Sequence, residues 1–166
     1  RSIVGESAAK TSLNIYRDLN NIVNHPLLSY EDKMALTYKG FYPAMKETVR
    51  LTPSNATIII PPQRNPWEME GHVAMVTYFI YPRKAINMGL DAKQIPLVDG
   101  KLYVLISKGS WERTGNVQYG WPKIAVKANH LWQIDIDQNI TTQFDGNYDP
   151  AQHKWDWGLI EVKKNE

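Results

Sequence analysis

Residues 65–84 read NPWEMEGHVAMVTYFIYPRK, and how this stretch is read decides the fold. From Trp67 to Phe79 its pattern predicts a helix. Gly71 opens a run, His72 to Ile80, that is apolar almost all round, as in a helix buried between layers. Tyr81-Pro82 should stop it, because proline disfavours helical backbone in the residue before it. Upstream, Ala56-Thr57-Ile58-Ile59-Ile60 is a β-branched run closed by Pro61-Pro62, the mark of a fully buried strand. Downstream, Arg83–Asn87 reads as a short strand and Lys101–Ser107 (KLYVLIS) as a longer one. Strand, helix and strand at this spacing form a βαβ unit with a right-handed crossover. Strands 56–60 and 101–107 should then share one sheet.

Residues 7–50 read as helical. Leu13, Tyr16, Leu19, Ile22 and Val23 recur at three- and four-residue spacing until Asn24-His25-Pro26 breaks the stripe. Ser29 followed by Glu31 and Asp32 reads as a helix start, with acids in the first turn. Met34, Leu36, Phe41, Tyr42, Met45 and Val49 carry the stripe on, with Pro43 suited to a first turn. From Trp121 the period becomes two. Trp132, Ile134 and Ile136 alternate with polar residues, then Ile140, Thr142 and Phe144 follow a turn at Gln138-Asn139. That predicts a hairpin with one dry and one wet face, and Trp155–Val162 makes a last strand. The expectation is one domain over 1–166 of α/β (α+β) class. It has a helical segment over 1–50 and a sheet region over 51–166, which ends in an antiparallel hairpin.

At 166 residues, with 43% hydrophobic and 22% charged content, the chain suits an ordinary globular domain. Nineteen basic against seventeen acidic residues leave a net charge of +2. No basic run interleaves with aromatics, so no nucleic-acid partner is expected. The absence of cysteine removes disulfides and thiolate chemistry. No stretch approaches the roughly 20 apolar residues of a membrane span. The chain begins Arg1-Ser2-Ile3 without methionine, which suggests that a signal or anchor has been removed.

Candidate sites are few. On the predicted helix Glu68 and His72 share a face, but two ligands fall short of a zinc centre. Asp145, Asn147 and Asp149 alternate as in a calcium loop, with Asp156 at the twelfth place. Against that reading, Pro150 stands where glycine is needed and the twelfth residue is not glutamate; the alternative is a polar turn. Six tryptophans and nine tyrosines include Trp111, Trp121, Trp155 and Trp157 near loops and strand ends. There they can either stack on sugar rings or fill the core. Arg83 suits an anion or loop carbonyls. Asp135, Asp137, Asp145, Asp149 and Asp156 are the acids from which a glycosidase pair would be drawn. No nucleophile elbow, P-loop or dinucleotide fingerprint is present, so no catalytic residue is assigned.

ATIIIPPQ, NPWEMEGHVAMVTYFIYPRK and KLYVLISKG, in that order, resemble a soluble extracytoplasmic segment of bacterial integral-membrane proteins, many of them similar to membrane glycosyltransferases. In these a helix closes on Tyr-x-Leu-Tyr-Pro-Arg; here Tyr78-Phe79-Ile80-Tyr81-Pro82-Arg83 has isoleucine for leucine. The resemblance covers about residues 50–110. It implies a domain outside the cytoplasmic membrane, beside or tethered to a membrane portion of the same protein or to a membrane partner, and it carries over no catalytic residue. The resulting expectation is a non-catalytic domain for assembly or ligand contact. The alternative is a glycan-binding or glycan-processing domain built on the C-terminal tryptophans and acids.

Overall fold

The computed structural model describes residues 20, 23, 27–64, 66–96, 98–109 and 120–164. Among the described residues three helices, α1 (Tyr30–Tyr38), α2 (Phe41–Leu51) and α3 (Val73–Ile80), accompany six strands. The strands are β1 (Thr57–Ile60), β2 (Lys84–Asn87), β3 (Leu102–Ser107), β4 (Ala128–Asp135), β5 (Ile140–Phe144) and β6 (Trp157–Val162). The chain divides into two compact units, Arg1–Tyr42 and Pro43–Glu166, the boundary falling inside α2.

In the first unit Ser29 caps α1 as its sequence predicts. Its hydroxyl accepts from the Asp32 amide at 3.1 Å, and its own amide donates to the Asp32 carboxylate at 3.2 Å. Yet α1 buries no residue, and Leu36, expected on the buried stripe, is 47% exposed. Lys39, with φ 47, ends the helix, and Pro43 sits in the first turn of α2. Of the earlier stripe, Val23 is exposed, while Leu13, Tyr16, Leu19 and Ile22 lie outside the described residues.

The second unit is built on one mixed sheet of order β2-β1-β3-β6-β4-β5. β1 pairs in parallel with both β2 and β3, while β3, β6, β4 and β5 pair antiparallel. The βαβ unit is therefore present, and β1 and β3 share the sheet as expected. Ile59, Val104, Ile160 and Leu131, each 0% exposed, lie in register across one face. Leu105, Leu159 and Trp132 form a buried row on the other. Burial on both sides explains why β1 and β3 are apolar without alternation.

Three sequence expectations are corrected here. Residues 67–71 form turns, and the helix begins only at Val73, capped by His72. The Gly71 carbonyl accepts from Asn87 Nδ2 at 2.8 Å, and the Met75 amide that would pair with it donates to His72 Nδ1 at 3.3 Å. Glu68 and His72 consequently share no helix face. Second, α3 is not apolar-buried all round: Val76 and Ile80 are fully buried, whereas Val73 is 37% and Tyr78 69% exposed. Third, the β4–β5 hairpin has no single dry face. Four residues, 136–139, separate the paired Asp135 and Ile140. An even-numbered loop sets even positions of one strand beside odd positions of the other. Trp132 and Ile134 thus share a face with Gln143 and Thr141, while Ile140, Thr142 and Phe144 join Asp135, Gln133 and Leu131.

Candidate functional site

In sheets with parallel strands, ligands commonly settle beyond the carboxyl ends, where the chain leaves β1 for neighbours on opposite sides. Here that end is closed by residues 61–64 and 66–71. Trp67, 1% exposed, donates its indole N–H to the Ser107 carbonyl at 3.3 Å at the end of β3. Asn87, ending β2, donates to the carbonyls of Pro61 (2.5 Å) and Gly71. A side chain at Gly71 would collide with the Pro62 carbonyl, so the turn packs directly on the strand exit. Glu70 is buried within the same turn and is engaged by the fold. The opening stretch is architecture.

The open concavity lies at the opposite end, where β3 and β4 begin and β6 finishes. Two adjoining hollows of about 690 and 520 Å³ share Leu102, Val162, Lys163 and Lys164 as a common wall. The first is completed by Gly100, Lys101, Asn129 and Glu161. Lys93, Ile95, Pro96, Val98, Ile124, Val126 and Lys127 contribute to the second. The walls are held by backbone bonds: Lys163 N–H to the Lys127 carbonyl at 2.9 Å, and Thr57 N–H to the Lys101 carbonyl at 3.0 Å. Val126 pairs with Tyr148 in both directions, at 3.0 and 2.9 Å, and the Ala128 amide donates to Asn147 Oδ1 at 3.1 Å.

Charge in this groove is one-sided. Five lysines, 93, 101, 127, 163 and 164, face one carboxylate, Glu161. Glu161 is matched by Lys101 at 3.5 Å, and the other four lysines make no ion pair to any described residue. Exposed like charges around a concave wall raise a local positive potential and concentrate anions there. Tyr103, at the root of β3, has its pKa pushed up to about 12 by burial and then by the Glu161 charge.

The residues singled out from sequence do not meet here. Trp121 (1% exposed) and Trp157 (8%) are core side chains; Trp111 lies outside the described residues. Trp155 reaches the surface and packs against Phe144 (5.2 Å between rings) and His153 (4.8 Å), which stacks on buried Tyr148 at 5.5 Å. Arg83 is buried, and its guanidinium donates to Thr52 Oγ1 (2.6 Å), the Val49 carbonyl (2.6 Å) and the Thr52 carbonyl. It closes the end of α2.

Nor do the acids converge. Asp156 pairs with Lys108 at 3.1 Å, Asp149 Oδ1 accepts from the Ala151 amide at 2.8 Å, and Asn147 is held by Ala128. Among the described residues no three His, Asp or Glu side chains gather around a metal position, so Asp145, Asp149 and Asp156 do not form the suggested calcium cage. Asp135 accepts from the amides of Asp137 and Gln138, at 3.1 and 2.9 Å, and shapes its own turn. None of these acids lines either hollow, and neither does a tryptophan.

Comparison with known proteins finds no matching family model, no matching curated protein and no matching solved structure. What the fold defines is an α+β domain with a mixed six-stranded sheet. Among the described residues no helix is long and apolar enough to cross a membrane.

Proposed function

We propose that this chain is a non-catalytic binding domain of a membrane-anchored bacterial protein, held outside the cytoplasmic membrane, and that the lysine-rimmed groove is its working surface. The observation that carries the reading is the concentration of five lysines on two adjoining hollows, four of them without an ion-pair partner among the described residues. Their volumes fall within the roughly 300–1,000 Å³ of ligand sites. The ligand is anionic. The membrane tether rests on the likeness of residues 50–110 to extracytoplasmic segments. Binding without chemistry is favoured by the acids at hand, because Asp135, Asp149 and Asp156 are each engaged in local structure.

Titration of isotope-labelled protein with inorganic pyrophosphate tests the groove. Amide shifts should centre on residues 93–102, 124–128 and 161–164 and weaken as salt screens the lysines. Shifts elsewhere, or none, would remove the reading. Localisation is tested separately by adding protease to intact cells that make the full-length protein. Protection of this domain would place it inside.

One observation favours a second reading, glycan contact. Phe144, 37% exposed, and Trp155 form a surface aromatic pair on the edge of the sheet, and such rings stack on the apolar faces of sugars. Trp155→Ala should then abolish any glycan-array signal; an array without signal would dismiss this reading.

A further inference from the structure

The lysine-rimmed groove is a charged rim beside an apolar floor. We propose that its ligand is an anionic amphiphile: a phosphate-bearing head on a single aliphatic chain. This rests on the reading of the groove as a binding site and goes further by assigning its two hollows different chemistry. The larger, about 690 Å³, is an open hollow edged by Lys101, Asn129, Glu161, Lys163 and Lys164, polar groups suited to a head group. The smaller, about 520 Å³, is floored by Ile95, Pro96, Val98, Ile124 and Val126. Of these, Val126 is buried, and Ile95, Pro96, Val98 and Ile124 are only partly covered, so the domain leaves apolar surface in a concave place where water gains little.

The two chemistries meet at Leu102 and Val162, which border both hollows, while Lys163 and Lys164 stand over the junction. A free phosphate would satisfy the rim and leave the floor wet. An uncharged chain would cover the floor and leave the lysines unmatched. An alkyl phosphate answers both. Its oxygens take charge-assisted bonds from the ammonium groups, and each methylene it buries gains transfer free energy.

The test is a calorimetric series of butyl, hexyl, octyl and decyl phosphate below their micelle concentrations, with inorganic pyrophosphate and decanol beside them. Affinity should rise roughly two- to fourfold per methylene until the floor is filled, and decanol should bind far more weakly than decyl phosphate. Ile124→Ser should flatten the chain-length dependence. Equal affinity for butyl and decyl phosphate, with pyrophosphate still binding, would overturn this inference and leave the groove an anion site. Failure of pyrophosphate and of every alkyl phosphate would overturn the groove reading itself.

Discussion

Arg83, just before β2, turns its guanidinium back onto the Val49 carbonyl in the last turn of α2 and onto the hydroxyl and carbonyl of Thr52 just past it. A planar fork of donors is what that helix end needs, and lysine cannot supply it. Arg83→Met should therefore cost about 2 kcal/mol or more, because charge-assisted bonds are lost and buried acceptors stay unmatched; Arg83→Lys should recover little of that loss in urea denaturation. Tyr148 is a second residue-scale case. Burial, and then the Asp149 charge, raise its phenol to about 12 from 10.0. The native state thus holds this proton more tightly than the unfolded chain, and its stabilising effect is complete below pH 10. That effect is lost as pH climbs from 10 towards 12, so denaturant midpoints should fall across this window. Tyr148→Phe should lessen the fall. A profile identical to that of the parent protein would show that Tyr148 is not protected.

At the scale of elements, α3 tests the packing of the βαβ unit. Val76 is fully buried, and Tyr78, two residues on, is 69% exposed. Val76→Asp buries an unpaired charge, a penalty of several kcal/mol against a total stability of roughly 5 to 15 kcal/mol, and should unfold the domain. Tyr78→Ser should leave the melting temperature nearly unchanged. Wild-type melting of the aspartate variant would mean that the helix does not pack through this face. Elements of this kind were legible in the sequence, because composition and punctuation act locally. Three isoleucines before Pro61-Pro62 can only suit a buried strand, and the serine–aspartate spacing at 29 and 32 closes a cap by itself. What was not legible depended on partners distant in the chain. Asn87 takes the Gly71 carbonyl and so shortens α3 from outside it. The parity of the 136–139 loop, invisible to periodicity read strand by strand, sends Phe144 to the face of Leu131.

At the scale of the molecule the same limit hides the groove. Its lysines come from residues 93, 101, 127 and 163–164, and only the antiparallel register of β3, β6 and β4 gathers them at one end of the sheet. The sequence holds only two short basic pairs, Arg83-Lys84 and Lys163-Lys164, and a near-neutral total charge conceals the local excess. The tryptophans were ambiguous for the converse reason: residue type alone left Trp121 and Trp157 open to either a surface or a core role, and bridges to Ser107 draw both into the core. The most direct measurement of the account is the pyrophosphate affinity of a Lys127→Glu, Lys163→Glu double variant beside the parent protein, with melting recorded for both. Both side chains are exposed, and the bond joining these residues is between backbones, so the fold should persist. Affinity should fall by roughly tenfold or more, about 1.4 kcal/mol, at an unchanged melting temperature. Undiminished affinity in a folded double variant would contradict it.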